Sequence, residues 1–528
     1  MKIEIYDTTL RDGEQGAGIS FTDDDRVKII HALDLLGVSY IEAGNASALS
    51  VFEREEVQSL RAVLVAFSST RKPDSHVFND DVLMKIARSD HVRAVTIYGK
   101  SAKSHVSGVL RTTPEENLRM IFDTVSFLVS CGKDVFYDAE HFFDGYGDDP
   151  VYAMKSIETA HEAGACRLVL CDTNGGMLPA AFGVAVNAAS AKFPGILGVH
   201  CHNDMGMAAA CSVEGVLSGA SHVQGTISGI GERCGNANLN TLIPVLQLKL
   251  GYKCIPDEAL AKLTGTARYI NEIANRSFDE HEPFVGGYAF SHKAGTHIDA
   301  VGKTARAFEH IEPEKVGNRG QIIISGLSGK AALKEKISSI GLPPYTDIEK
   351  NSEEVGRAVS LVKKYESEGY TYEDAEASLI LVIMESLGLR NDFFSLKSFE
   401  VTSRTAEKSF ASVKIAVENS ATADSDFMEE TSSEMSESGP VHALDAALRK
   451  VLLSFYPQLE SVRLCDYKVR VINSGATTAS MVRVLIESTD SVTVWRTIGV
   501  SKDIIEASWQ ALRDAYEYKL TMTENENK

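Results

Sequence analysis

DVFYDAEHFFDGYGDDPVYAMKSIETAHEAGACRLVLCDTNGG, residues 134–176, decides the fold. It opens with a strand-like run at 134–141, passes through a helical stretch at 148–163 and returns as a second apolar strand at 167–173. Strand, helix and strand in one short span make the parallel crossover unit, because parallel neighbours cannot be joined by a tight hairpin. Working outward, the same alternation continues. Strands are expected at 2–10, 40–44, 62–70 and 94–100 before this unit, and at 195–204 and 222–231 after it. Helical stretches fall between them, among them 24–36, 114–131 and 179–191. TTPEENL at 112–118 carries helix-start chemistry: a Thr cap, a Pro at the first position and acidic residues in the first turn. Eight strands, each followed by a helix, within about 250 residues is the pattern of a (β/α)8 barrel. The rival is an open doubly wound sheet, which the strand count and the even alternation disfavour.

The rest of the 528 residues extends beyond such a barrel, taken as 1–255. Residues 256–400 read as a helical connector and lid, with glycine-containing loops at 285–295 and 317–329. A small α+β domain is expected at 401–522. It has a strand at 410–417, a helix at 441–455, strands near 461–473, 479–488 and 491–500, and a helix at 503–518. Within it, 418–439 holds seven acidic residues and no Lys or Arg, and reads as a flexible acidic loop. Residues 523–528 are expected to be a disordered tail. Composition is that of a globular protein, 44% apolar and 24% charged. No apolar run approaches the ~20 residues of a membrane span, and the N-terminal stretch lacks the pattern of a secretory signal, so a cytoplasmic location is expected. A net charge of −20 argues against nucleic acid and anionic membrane as partners. The eight scattered cysteines include no CxxC pair and are expected to be reduced thiols.

In such a barrel the chemistry sits where the strands end. The first strand ends in Arg11-Asp12-Gly13-Glu14-Gln15, the fifth in Asp138-Ala139-Glu140-His141, the sixth in Asp172-Thr173-Asn174 and the seventh in His200-Cys201-His202-Asn203-Asp204. The eighth runs into Gly229-Ile230-Gly231-Glu232-Arg233-Cys234-Gly235-Asn236. Side chains two apart on a strand share a face, so His200 and His202 should point to the barrel axis together while Cys201 faces the helices. Two imidazoles with Asp12 as a third ligand suit a divalent cation in an open site, although the same set fits non-haem iron. Two hydrogen-bonded histidines without a metal are the plainer alternative. Arg11 offers a fixed positive charge for a carboxylate or an oxyanion, or else a salt bridge across the barrel mouth. Glu140 is a candidate acid or base, or a partner for Arg11. Thr173 could donate to a substrate carboxylate. Gly229 and Gly231 would bring backbone close to substrate or metal, with Asn236 as a ligand or a group supporting one.

Together these residues resemble the acetyl-CoA-dependent 2-oxo-acid condensing enzymes, the isopropylmalate, homocitrate and citramalate synthases. The opening signature DTTLRDGEQ stands intact at 7–15, and the second signature resembles 195–204 with 229–236. The similarity extends through FSHKAGTHIDAV at 290–301 to RTIGVSKDIIEASWQALRDAYEYKL at 496–520. Within the family the likeness is strongest to the long citramalate synthase branch, carried by VFYDAEHFFDGY at 135–146, LVLCDTNGG at 168–176 and GERCGNANLNTLIPVLQLKLGY at 231–252. The resemblance implies a divalent metal (Mg2+ or Mn2+, with Zn2+ as alternative), acetyl-CoA as co-substrate and pyruvate as acceptor. The implied reaction is a Claisen-type condensation to (R)-citramalate, feeding isoleucine synthesis. It further implies a homodimer, a C-terminal regulatory domain that senses a branched-chain amino acid, and His297 of the lid as a participant in proton transfer beside Glu140.

Two stretches depart from the family pattern. EAGNASALSVFERE at 42–55 stands where the branch carries a Gly- and Trp-containing stretch with Pro, and Phe308 stands where relatives place Tyr. 2-Isopropylmalate synthase is the alternative within the same chemistry. A metal-dependent lyase or aldolase, or a non-catalytic amino-acid sensor on the same barrel, is the alternative outside it.

Overall fold

The computed structural model describes every residue except 45–47, 293–303, 305–306, 323–328, 342–344, 405–407, 419–426, 473–479, 491–492 and 527–528. The described chain divides into two compact units, Met1–Phe290 with His310–Gly320, and Ser291–Glu309 with Gln321–Lys528.

In the first unit eight strands close into a barrel: β1 (Glu4–Asp7), β2 (Tyr40–Glu42), β3 (Val63–Ser69), β4 (Ala94–Lys100), β5 (Asp134–Glu140), β6 (Arg167–Asp172), β7 (Leu197–Cys201) and β8 (His222–Gly225). Each pairs in parallel with the next, and β1 closes on β8 with Glu4 opposite His222. The interior is packed, not hollow. Tyr6, Tyr40, Phe136 and His222 meet there with ring centroids 5.0 to 6.1 Å apart. Gly198 makes room for this layer, since a Cβ at that position would stand 2.7 Å from the His222 ring. Apolar residues on the outer strand faces, such as Ile5, Ile41 and Val199, are buried in one core with Ile29, Leu33 and Phe182 of the surrounding helices. The helix start expected at 112–118 is present: Thr113 caps helix Pro114–Ser130 by accepting the Glu116 amide. The expected helix 148–163 is present as Pro150–Glu162, and a further short helix, Phe142–Asp148, precedes it. The two break at Asp149, whose carboxylate caps the second and which Pro150 follows.

The first, seventh and eighth strands are shorter at their C-terminal ends than the alternation suggests. Chain leaves β1 at Thr8, whose carbonyl accepts the amides of Arg11, Asp12 and Gly13. The residues so released form the rim loops that carry the polar groups.

The expected divisions at 255/256 and 400/401 do not coincide with the units. Leu260, Leu263 and Ile270 lie in the same apolar core as Ile29 and Leu33, so the barrel unit continues to Phe290. The boundary at 400/401 cuts strand β11 (Ser395–Thr402), which follows the two-residue strands β9 (Ser291–His292) and β10 (Gln321–Ile322). In the second unit, helices Lys330–Ile340, Glu353–Ser367 and Glu376–Leu387 share a core with Ile498 and Val500.

A three-stranded antiparallel sheet followed by a helix occurs twice in this unit. β11, β12 (Ser409–Glu418) and β13 (Phe427–Ser436) precede helix Pro440–Leu453. β14 (Arg463–Ile472), β15 (Met481–Thr489) and β16 (Val494–Ser501) precede helix Ile504–Glu526. The acidic segment expected as a loop therefore contains β13, paired along its length with β12. Backbone hydrogen bonds to β12, whose Val413 and Ile415 are buried, hold it at the sheet edge. Its Glu429 and Glu430 face solvent there, and charge on an edge strand discourages further pairing. Of the tail expected to be disordered, 523–526 instead continue the last helix to Glu526, and 527–528 lie outside the described residues.

Candidate active site

The tight turn after β1 sets the first half of the site. Asp7 anchors it, accepting from the Thr9 amide and hydroxyl at 2.9 Å each, while the Ile227 amide donates to that hydroxyl at 3.0 Å. Burial pushes the Asp7 carboxyl up to about 7 despite these bonds. The turn delivers Asp12 to the end of β7. There Oδ2 lies 3.3 Å from His200 Nε2 and 3.9 Å from His202 Nε2, and the two Nε2 atoms are 3.4 Å apart. All three side chains are buried. Cys201, between the histidines, is buried on the opposite face against Ser212.

This triad fits a divalent cation. Ligand atoms at ~2.1 Å from one metal stand roughly 3.0 to 3.5 Å from each other, close to the spacing of these three. Asp12 Oδ1, His202 Nδ1 and Asn236 Oδ1 are buried without a hydrogen-bond partner among the described residues, a cost that polar interiors rarely carry. Burial opposes the charge on Asp12, but Arg11 and the two imidazoles hold its carboxyl far below the usual range. Burial, joined by the neighbouring His200, lowers His202 to about 4 and keeps it neutral, the form that binds metal. Among the described residues this is the cluster whose ligand atoms converge for a metal.

Arg11 is fixed from three sides. Its Nε donates to Glu42 at 2.7 Å, its Nη1 lies 3.2 Å from Asp12 Oδ2, and its guanidinium stacks 3.9 Å from the centre of the Phe67 ring. Glu42 also accepts from the Tyr6 hydroxyl at 3.0 Å. The ion pair weighed between Arg11 and Glu140 is not formed. Glu42 takes that place from the neighbouring strand end, and Glu140 pairs with Lys100 of β4, its register partner. Thr173 Oγ1 accepts the His141 amide at 2.9 Å, so its hydroxyl proton points elsewhere.

The loop after β8 is built around Asn236, which bridges to His202 through the backbone. Asn236 Nδ2 donates to the Ile230 carbonyl at 3.2 Å. A Cβ on Gly231 would stand 2.2 Å from that amide nitrogen, and one on Gly235 1.9 Å from the Gly229 carbonyl. Gly229 and Gly231 thus shape the seat of Asn236. Arg233 ties this loop to its neighbours, bonding both oxygens of Asp204 and the Thr173 carbonyl. His297 lies outside the described residues, and Phe308 is exposed.

Sequence reading assigned no role to three groups around the triad: Glu42, Gln224 and Asp138, the last named only as part of the fifth strand's end. Each stands two positions after an inward ring: Tyr40 before Glu42, Phe136 before Asp138, His222 before Gln224. That period of two, continued past the aromatic layer, was the available signal.

The fold and triad define a class of (β/α)8 enzymes that hold a metal at the C-terminal mouth. Comparison with known proteins agrees. The family model described as HMGL-like matches residues 2–270, the homocitrate synthase post-HMGL domain-like model 284–369, and the LeuA allosteric (dimerisation) domain model 373–520. The chain is 44% identical over 536 residues to an (R)-citramalate synthase of Aquifex aeolicus, covering 99% of both. It is 41% identical over 538 residues to that of Geobacter sulfurreducens, covering 99% of this chain and 98% of that one. A 2-isopropylmalate synthase of Pyrococcus furiosus is 30% identical over 526 residues, covering 97% and 98%. The chain belongs to the (R)-citramalate synthase family.

Proposed function

We propose that this protein joins the methyl carbon of acetyl-CoA to the ketone carbon of pyruvate and, with water, releases (R)-citramalate and CoA. The observation that carries the reading is the buried Asp12–His200–His202 triad beside Arg11, in a chain that keeps 44% identity to a citramalate synthase along its whole length. The lower identity to a 2-isopropylmalate synthase places pyruvate ahead of 2-oxoisovalerate.

Asp12, His200 and His202 would hold the cation, Mg2+ or Mn2+ before Zn2+, with Asn236 close by. When bound, the cation acts as a Lewis acid toward the 2-oxo acid. Arg11, charged and immobile, stabilises the oxyanion that develops as the ketone is attacked. Thr173 donates its hydroxyl proton to the acceptor carboxylate. Glu140, kept in place by Lys100, and His297 are the two candidate bases, one of which takes the methyl proton from the acetyl group. Water then cleaves the thioester.

In the second unit a cavity of ≈ 300 Å³ is lined by His442, Asp445, Arg449, Arg463 and Tyr467, a set with charges for both ends of an amino acid. We assign it to a branched-chain amino-acid effector. The match to an allosteric dimerisation domain supports a homodimer, testable by light scattering. Among the described residues no helix is long and apolar enough to cross a membrane, and a cytoplasmic location is proposed.

The test is free-thiol release with acetyl-CoA and each 2-oxo acid in turn. Pyruvate should be the preferred acceptor; preference for 2-oxoisovalerate refutes the reading, and release without any oxo acid removes the condensation. Asp12→Asn should lower turnover by at least ~100-fold, since it removes charge where the reaction needs it, and should lose bound metal.

A further inference from the structure

Beneath His200 runs a short polar chain that the reaction itself does not use. His200 Nδ1 lies 2.9 Å from Gln224 Oε1, and Gln224 Nε2 donates to Asp138 Oδ1 at 3.1 Å. All three residues are buried, and Gln224 has no exposure at all. The elements are three separate strands, β7, β8 and β5, so the chain crosses the barrel interior.

The direction of the chain follows from donor and acceptor counts. Burial pushes the Asp138 carboxyl up to about 7; in its ionised form it only accepts, and the amide end facing it is then the NH2. The oxygen of Gln224 is then turned to His200, and it too only accepts. Neutral His200, the form that binds metal, must therefore carry its one proton on Nδ1. That leaves the lone pair on Nε2, the atom that faces Asp12 and His202. A histidine free to take the other tautomer would present an N–H to the cation.

We propose that Gln224 is a positioning residue for the metal site: it sets the tautomer and ring orientation of His200, and Asp138 in turn sets the orientation of Gln224. The inference rests on the triad being a metal site. It adds a residue outside the triad whose loss weakens metal binding without touching the metal.

The test reads Mn2+ binding to the full-length protein by electron paramagnetic resonance, separately from activity. Wild type should bind one Mn2+ per chain and Asp12→Asn should not; if wild type does not bind, the triad reading itself fails. Gln224→Met keeps the volume but removes both hydrogen bonds, and should raise the Kd for Mn2+ by about 10- to 100-fold. The double variant Gln224→Glu with Asp138→Asn exchanges the two roles. A carboxylate now accepts from His200 and an amide donates to it, with the same total charge. It should return the Kd to within a few-fold of wild type. Wild-type affinity in Gln224→Met overturns the proposal. So does a double variant as weak as Gln224→Met while equally well folded, because packing alone would then explain the loss. Should Gln224→Met fail to fold, Asp138→Ala decides: weakened Mn2+ binding supports the chain and unchanged binding refutes it.

Discussion

At the scale of single residues, Arg11 shows most directly how geometry becomes chemistry. A guanidinium can bond Glu42 through Nε and approach Asp12 through Nη1 while lying flat on Phe67. An ammonium is a point charge and cannot make both contacts in one plane. Arg11→Lys is therefore not conservative: turnover in the thiol assay should fall by roughly 100-fold or more, while Mn2+ still binds, because the triad is intact. Loss of metal together with activity would show that Arg11 organises the site and does not act on substrate. The triad itself was legible because an i, i+2 pair of histidines on a strand can only face one way. Glu42, Gln224 and Asp138 were given no role because a polar residue near a strand end resembles a tolerated exception until its partners from other strands are known. His200 needs Gln224, and 20 residues of chain separate their strands' nearest ends.

At the scale of elements, the strands were legible and their ends were not. Alternation of strand and helix gave eight strands in the right order. Where each strand stops is set by rim contacts made across the barrel, such as the Thr8 carbonyl that gathers three amides. The loop after β8 is the extreme case. Ser228, Gly229, Arg233 and Gly235 all adopt positive φ there, and the Gly235 Cα faces the Gly229 carbonyl with no room for a methyl group. Gly235→Ala must move that carbonyl or its own backbone, on top of the ~1–2 kcal/mol that a left-handed conformation costs an L-residue. Asn236 moves with it. Turnover should drop by about 100-fold, the scale of a 1 Å misplacement near reacting groups, while the melting temperature falls by only a few degrees. Normal activity in Gly235→Ala would mean that the loop can relax without disturbing Asn236. The acidic strand β13 was misread for a related reason. Its order comes from pairing with β12, which composition does not report, and its edge position lets Glu429 and Glu430 face solvent.

At the scale of the whole molecule, the apolar cores of the two units share no residue among those described. One is built from the barrel and the helices down to Phe290 together with Val316, the others from the helices and sheets beyond Gly320. Calorimetry of the full-length protein should therefore show two transitions and not one. Acid should move them unequally, because the barrel is latched by ionisable groups at the ends of its strands opposite the active site. Glu4 of β1 holds Arg167 of β6 through both oxygens at 2.9 Å and lies 3.4 Å from His222 of β8. Burial opposes its charge, but His222 and Arg167 bring the Glu4 carboxyl down to about 2 from an ordinary 4.5. A carboxylate whose folded pKa is depressed stabilises the fold fully above 4.5 and loses that contribution as pH falls from 4.5 toward 2. Glu4→Gln should accordingly lower the melting temperature of one transition at pH 7 and leave the other in place. The deficit relative to wild type should shrink below pH 4.5, to about half or less by pH 3, because protonated Glu4 then resembles the amide. A deficit that stays constant down to pH 3 would mean that Glu4 contributes by packing alone; one that appears equally in both transitions would mean that the barrel and the C-terminal unit unfold as a single cooperative body.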